Sequence, residues 1–231
     1  MAAQLAVALD VPDGRLALAL AAKLMPVTPW MKVGLELFTL AGPAMVRELK
    51  KRGCRVFLDL KFHDIPNTVR GAVRSALAAG ADICNIHLAG GEAMSRAAVA
   101  EMAEARSRGR ESLLLGVTVL TSTPDQDGGL ADLVLERAVN AKAWGLDGVV
   151  CSALEAAAVK RDCGPEFICL CPGIRPAAYQ DGGRPDDQSR VLTPLEAVRQ
   201  GADFLVVGRP ITRAADPAAA AAEIVASCRL D

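Results

Sequence analysis

The sequence lacks the features that would direct it to nucleic acid, a membrane or an export pathway. Its 26 basic and 27 acidic residues leave a net charge of −1, without a long run of lysine or arginine. Binding to nucleic acid or to a membrane surface through bulk charge is therefore not expected. No apolar run reaches membrane-spanning length, and the first residues lack the basic and apolar regions of a signal peptide. We expect a cytoplasmic protein with neither a nucleic-acid nor a membrane partner.

Cysteine spacing typical of a zinc site is also missing. The seven cysteines form an odd set, and most lie inside predicted strands. Cys169 and Cys171 are separated by one residue, which is too close for the usual zinc spacing. We interpret the cysteines as small buried apolar side chains in a reducing compartment. No metal site and no redox role is expected.

Apolar strand-like runs alternate with alanine-rich helical stretches from one end of the chain to the other. Strands are predicted over residues 5–9, 30–34, 55–61, 82–87, 113–119, 148–151, 167–171 and 204–207. Helices are predicted over residues 14–24, 43–52, 66–79, 92–106, 131–143, 154–161, 194–200 and 217–228.

This alternation predicts an α/β fold, a (β/α)8 TIM barrel that forms a single domain over residues 1–231. Eight strand–helix units favour a parallel sheet with helices outside, and continuously apolar strands fit burial on both faces. The alternative is an open doubly wound sheet, but the first strand lacks the G-x-G-x-x-G loop of a dinucleotide fold. No linker divides the chain.

The most informative stretch covers residues 57–68. Asp59 and Lys61 are two residues apart in a predicted strand, so their side chains point to one face. Asp64 follows where the chain turns ahead of Pro66, which suits the first turn of a helix. Opposite charges at a buried strand end are costly unless they are paired. A structural ion pair and a preorganised charge array in a pocket are the alternatives, and clustered charges in clefts favour the second.

Polar residues follow the apolar runs repeatedly, at the strand ends where barrel enzymes carry their active sites. They are Asp10, Lys32, Asp59, Lys61, His87, Thr121, Ser122, Arg175 and Arg209. Lys32 would keep Asp59 ionised and orient Lys61, which can donate a proton to a reacting atom placed below it. Asp10 either binds a sugar hydroxyl or caps the first helix. Thr121 and Ser122 either contact a ligand or cap a turn. His63 and His87 have no recognisable nucleophile partner and are interpreted as structural.

The loops after the last two strands suit a phosphate group. Glycine exposes backbone N–H groups at Gly173 and Gly208, and Arg209 can bind phosphate oxygens in a bidentate way. The loop over residues 172–190 is long for this position, which is typical of a lid or of an unstructured insertion. If it is a lid, the amide of Gln188 can close onto the phosphate.

The segment Asp59-Leu60-Lys61-Phe62-His63-Asp64-Ile65-Pro66-Asn67-Thr68 resembles the signature of the orotidine 5′-phosphate decarboxylase family. Six further segments resemble the family in the same order along the chain. They are residues 8–10, 32–34, 120–122, 172–175, 187–190 and 207–210. One short match is weak evidence, whereas seven collinear matches over nearly the whole chain are specific.

The resemblance implies cofactor-free decarboxylation of orotidine 5′-phosphate to UMP, the last step of de novo pyrimidine synthesis, by a homodimer with active sites at its interface. It implies a catalytic array of Lys32, Asp59, Lys61 and Asp64, with Lys61 as the proton donor and Asp64 supplied by the other subunit. It also implies a set of substrate-binding residues, with Ile65 and Thr68 from the partner: Asp10, Lys32, Asp59, Ile65, Thr68, Thr121, Ser122, Pro172, Arg175, Gln188, Gly208 and Arg209.

Two other functions remain as alternatives. Magnesium-dependent sugar-phosphate decarboxylases and hexulose-phosphate synthases share the D-x-K-x-x-D pattern, but they are expected to carry a glutamate where this chain has Lys32. A cation at this position repels a divalent metal. A catalytically silent barrel that binds nucleotides is the second alternative, and the complete set of costly charges argues against it.

Overall fold

The structure, a computed structural model, describes residues 3–123, 125, 128–176, 179 and 190–228. Within these ranges parallel strands pair in chain order, and the last strand pairs with the first, so the sheet closes into a barrel. The predicted (β/α)8 barrel is therefore confirmed. The strands are β1 (Gln4–Ala8), β2 (Trp30–Val33), β3 (Arg55–Phe62), β4 (Ile83–His87), β5 (Leu113–Val117), β6 (Gly148–Val150), β7 (Ile168–Cys171) and β8 (Phe204–Val207).

Helices surround the barrel, and none of those described is long and apolar enough to cross a membrane. They are α1 (Gly14–Leu24), α2 (Leu35–Lys51), α3 (Pro66–Ala79), α4 (Gly91–Ser107), α5 (Leu130–Trp144), α6 (Ala153–Cys163), α7 (Pro194–Arg199), α8 (Arg209–Thr212) and α9 (Pro217–Ser227).

Two helical features differ from the sequence prediction. Helix α2 begins at Leu35 rather than at Pro43, because a first helical segment starts directly after β2 and is broken at Gly42. The φ of 58° at Gly42 kinks the chain, and Pro43 then begins the second segment, where its fixed φ and missing N–H are tolerated. The four-residue helix α8 was not predicted.

The strand side chains divide between two apolar layers. One layer packs between the strands and the helices, and the other fills the barrel interior. The interior layer includes Ala6 and Ala8 on β1, Trp30 on β2 and Phe57 on β3. Because side chains alternate along a strand, the next inward positions on β2 and β3 belong to Lys32 and Asp59. The interior therefore changes from apolar to charged toward the carboxyl ends of the strands.

A short sequence motif is repeated at the opposite end of the barrel. G-x-D triplets occupy residues 80–82, 145–147 and 201–203, and each directly precedes an even-numbered strand. Each glycine lies at the end of a helix with a positive φ, of 111°, 94° and 94° respectively. Each aspartate accepts a hydrogen bond from a backbone N–H of the preceding strand at 2.7–2.8 Å. The triplets therefore tie neighbouring strands together at this end.

A basic side chain completes each of these contacts. Lys50, Arg106 and Lys160 lie 2.7, 2.6 and 2.6 Å from the aspartates of the three triplets, in chain order. A Cβ at Gly80 would lie 2.9 Å from Cγ of Lys50, so the absent side chain also leaves room for the lysine stem. The end of the barrel away from the charged interior is thus held by ion pairs at equivalent positions.

Candidate active site

Strand β3 departs from regular pairing where its charged residues lie. The register with β4 shifts between Leu58 and Phe62, so residues 59–61 oppose the single residue Asn85. Lys61 takes a φ of 50°, in the left-handed region that non-glycine residues rarely adopt, and no other non-glycine residue that the structure describes has a positive φ. The predicted strand is therefore confirmed as β3, but a bulge that the sequence analysis did not predict interrupts its pairing with β4.

The bulge nevertheless brings the predicted charges together in a chain of alternating sign. Nζ of Lys61 lies 2.7 Å from Oδ1 of Asp59, and Nζ of Lys32 lies 3.5 Å from its Oδ2. Nζ of Lys32 also lies 2.9 Å from Oδ1 of Asp10. The side chains of Lys32 and Asp59 are only 9% and 13% exposed, so water screens their contact weakly.

The environment of Asp59 favours its ionised form. Burial alone would raise the pKa of this carboxyl. The charges of Lys32 and Lys61, with hydrogen bonds from Lys61 and Asn85, outweigh burial and hold the pKa of Asp59 below its ordinary value. Since a buried charge set is a poor source of stability, its presence in a cleft favours a functional role.

Sequence reasoning missed two residues that shape this array. Asn85 is fully buried in β4, and its side chain contacts both Asp59 and the backbone of Lys61. A polar amide inside an apolar strand was the signal that could have identified it. Gly34 leaves space for the neighbouring ion pair: a Cβ there would lie 2.8 Å from Nζ of Lys32 and 3.0 Å from Oδ1 of Asp10.

The charged residues line a cavity of about 340 Å³ at the carboxyl ends of the strands. Its base is apolar and includes Ala8, Phe57 and Val206. Ten of the predicted site residues line it: Asp10, Lys32, Asp59, Lys61, Thr121, Ser122, Pro172, Arg175, Gly208 and Arg209. The cavity therefore has a charged side from β1–β3, an apolar base and a second polar side after β7 and β8.

The polar side after β7 and β8 is built from short, tied segments. The backbone N–H of Arg175 donates to the carbonyl of Leu192 at 3.0 Å, and that of Leu192 donates to the carbonyl of Gly173 at 3.4 Å. Helix α8 begins immediately after Gly208, which places Arg209 in its first turn. A short extra helix after strand eight is typical of phosphate sites in barrels of this kind.

Comparison with known proteins identifies the family. Residues 3–224 match the family model described as "Orotidine 5'-phosphate decarboxylase / HUMPS family". The chain belongs to this family. A curated orotidine 5′-phosphate decarboxylase of Nitratidesulfovibrio vulgaris is 58% identical to it, over 98% of the chain and 99% of the relative. One from Moorella thermoacetica is 49% identical, over 97% of the chain and 91% of the relative.

A solved structure supports the same relationship. The crystal structure of orotidine 5′-phosphate decarboxylase from Lactobacillus acidophilus matches this fold with a TM-score of 0.84, at 34% identity and over 100% of both chains. The family resemblance stated from sequence motifs is therefore confirmed. The roles assigned to single residues stay predictions.

Three residues that the family resemblance assigned to the site lie outside this cavity. Asp64, Ile65 and Thr68 are exposed where α3 begins, and Ile65 is 67% exposed. The carboxylate of Asp64 accepts a hydrogen bond from the backbone N–H of Ile65 at 2.7 Å. A fourth predicted residue, Gln188, lies outside the described residues.

The structure decides one of the alternatives left open by the sequence and leaves a second open. Helix α1 is capped by Asp13, whose carboxylate accepts from the backbone N–H of Leu16 at 2.8 Å. The interpretation of Asp10 as this cap is therefore wrong. Thr121 and Ser122 line the cavity and also lie within a turn closed by a hydrogen bond from Thr123 to Leu120 at 2.9 Å.

The two histidines stack on each other, and neither lines the cavity. The rings of His63 and His87 have centroids 5.4 Å apart and planes 20° apart, and Nδ1 of His87 accepts from the backbone N–H of Ala89 at 3.2 Å. Burial, followed by the charges of His63, Arg137 and Lys61, lowers the pKa of His87. Among the described residues, no group of three or more His, Cys, Asp or Glu side chains is placed to hold a metal ion.

Proposed function

We propose that this chain decarboxylates orotidine 5′-phosphate to UMP and carbon dioxide without a metal or cofactor, the last step of de novo pyrimidine synthesis. One observation carries the proposal: Lys32, Asp59 and Lys61 converge, largely buried, at the mouth of a cavity whose other side holds Gly208 and Arg209. The names of the curated relatives support the substrate.

The charge array suits the difficult step of this reaction. Loss of carbon dioxide from C6 leaves an electron pair in an sp² orbital that the pyrimidine ring does not delocalise. The ammonium of Lys61 stabilises that pair and then transfers a proton to C6. Asp59, which also contacts Lys32, holds this ammonium before substrate arrives, so little reorganisation is needed during the reaction.

The rest of the cavity suits the other parts of the nucleotide. Asp10, Lys32, Thr121 and Ser122 line the cavity, and we assign the first two to the ribose hydroxyls and Ser122 to the pyrimidine. Gly208 and Arg209 bind the phosphate, together with Gln188. We also assign Pro172 and Arg175, which follow β7 and line the same cavity, to substrate binding. Binding energy from the distant phosphate can then assemble the site around C6.

The functional unit in this proposal is a homodimer of single-domain barrels. Asp64, Ile65 and Thr68 are exposed and contribute nothing to the cavity of their own chain. We assign them to the site of the partner subunit, where Asp64 completes the array. The seven cysteines are all free thiols, which fits a cytoplasmic enzyme.

Measurement of orotidylate absorbance in buffer containing EDTA tests the reaction. We expect full activity there, and Lys61→Ala should lower kcat by more than about 10³-fold, since it removes both the proton donor and a charge. Lys23→Ala, at an exposed lysine on α1, is the matched control and should leave kcat unchanged. UMP should still bind to the Lys61→Ala variant.

Other outcomes favour other functions. The family description also includes HUMPS enzymes, and strict dependence on magnesium would favour that class. The ammonium of Lys32 argues against it, because it stands between Asp10 and Asp59 where a divalent ion would otherwise be attracted. UMP binding without turnover would instead indicate a catalytically silent barrel.

A further inference from the structure

The amide of Asn85 connects the two functional groups of β3. Its Oδ1 accepts a hydrogen bond from the backbone N–H of Lys61 at 2.8 Å. Its Nδ2 donates to Oδ1 of Asp59 at 2.8 Å, the same oxygen that lies 2.7 Å from Nζ of Lys61. Both ends of the amide are thus used on one short segment.

A hydrogen-bonding side chain is required at position 85 because the bulge in β3 leaves backbone groups without partners in the neighbouring strand. Residues 59–61 oppose Asn85 alone, so regular strand pairing does not satisfy the backbone of this segment. A buried N–H without a partner costs about 1–3 kcal/mol. The φ of 50° at Lys61 is also unfavourable for a residue with a side chain. The hydrogen bond to Asn85 satisfies this N–H in the bulged conformation.

The two partners of Asn85 make opposite demands on its side chain. The N–H of Lys61 requires an acceptor and the carboxylate of Asp59 requires a donor, so the amide has one correct orientation. Asn85 is fully buried and does not line the cavity, so it acts on the substrate only through its neighbours. An aspartate there keeps the acceptor but places an oxygen against Asp59, and a leucine provides neither group.

We propose that Asn85 is a positioning residue that holds the Lys61 ammonium and the Asp59 carboxylate in their reactive arrangement. This inference rests on the proposed decarboxylation. It predicts that Asn85 variants lose turnover rather than affinity for nucleotide. It also predicts a pH dependence that loss of packing alone would not produce.

Kinetic measurement of Asn85→Leu and Asn85→Asp across pH 6–9 tests the proposal. For Asn85→Leu we expect kcat to fall by about 10²-fold, the size of effect seen when a preorganised donor is removed, with UMP affinity changed less than about threefold. In Asn85→Asp the two carboxyls cannot both ionise at low cost, so the new carboxyl stays protonated and its O–H donates a hydrogen bond to Asp59. Activity relative to wild type should therefore fall as the pH rises and the proton is lost.

Thr118→Val is the matched control. Thr118 is also fully buried, at the end of the next strand, and its hydroxyl donates to the carbonyl of Val150 at 3.0 Å. Its loss removes a buried hydrogen bond without touching Asp59 or Lys61. Equal loss of kcat in Thr118→Val and Asn85→Leu would overturn the proposal, as would a constant ratio of Asn85→Asp to wild-type activity across the pH range.

A structural measurement separates this inference from the proposed function. In a crystal structure of Asn85→Leu, Nζ of Lys61 should lie more than about 3.5 Å from Oδ1 of Asp59, beyond hydrogen-bond distance. Unchanged positions of both groups would overturn the positioning role, whatever reaction the enzyme performs. Wild-type protein without decarboxylase activity would refute the proposed function alone.

Discussion

Replacement of Asp147 by asparagine removes one negative charge from the barrel end opposite the cavity. The carboxylate accepts from the backbone N–H of Leu114 at 2.8 Å and from Arg106 at 2.6 and 2.7 Å. Its side chain is 20% exposed, whereas that of Arg106 is 40% exposed. The hydrogen bond to the buried strand should therefore matter more than the ion pair.

The expected loss of unfolding free energy in Asp147→Asn follows from these contacts. Hydrogen bonds to charged groups contribute about 1.5–3 kcal/mol, roughly twice the neutral value, so asparagine loses about 1 kcal/mol at Leu114. The partly exposed ion pair adds about 0.5 kcal/mol. For a domain of this size, a total of about 1.5 kcal/mol lowers Tm by about 3–6 °C. Asp147→Ala also leaves a buried N–H unsatisfied, so we expect about 3 kcal/mol.

Thermal and urea unfolding measure these losses of stability. We expect wild type to be the most stable, followed by Asp147→Asn and then Asp147→Ala. Glu136→Gln, at an exposed residue of α5, is the control and should change the free energy of unfolding by less than about 0.5 kcal/mol. The kcat of folded Asp147→Asn should equal that of wild type, since the charge array lies at the other end of the strands. Equal stability of the three proteins would refute the assigned role of the G-x-D triplets.

Three further predictions concern the site. Gly34→Ala should lower kcat with little loss of stability, because its Cβ displaces the ends of the Lys32 and Asp10 side chains and no backbone atom; wild-type kinetics would contradict this. Arg209→Ala should raise KM far more for the nucleotide than for the phosphate-free nucleoside, and equal effects would exclude a phosphate contact. A 1:1 mixture of Lys61→Ala and Asp64→Ala subunits should recover about a quarter of wild-type activity, since half of the dimers are hybrids with one intact site each. No recovery would mean that Asp64 does not cross the interface.

The fold was predictable because it depends on a pattern that repeats along the chain. Strands buried on both faces must be continuously apolar, and the helices between them must have one apolar face, so eight such units indicate a closed parallel barrel. The first segment of α2 was missed because no loop separates it from β2 and Pro43 resembles a helix start. Helix α8 was missed because four residues carry too little periodicity.

The candidate site was predictable residue by residue but not in its connections. Ten residues chosen from strand ends and family motifs line one cavity. The left-handed backbone of Lys61 was not predictable, because alternation along a strand assumes regular pairing and the register of β3 with β4 is a property of two strands. Asn85 was overlooked for the same reason, since its importance depends on what lies opposite.

The sequence alone determined the eight strands, the main helices between them and the charged residues that reach the carboxyl ends of the strands, because hydrophobic periodicity and strand alternation are local. Only the tertiary structure decided which charges meet. Lys32 contacts Asp10 across 22 positions, and Asn85 contacts Lys61 and Asp59 across 24 and 26. Such contacts depend on barrel closure and strand register, which arise from packing of the whole chain.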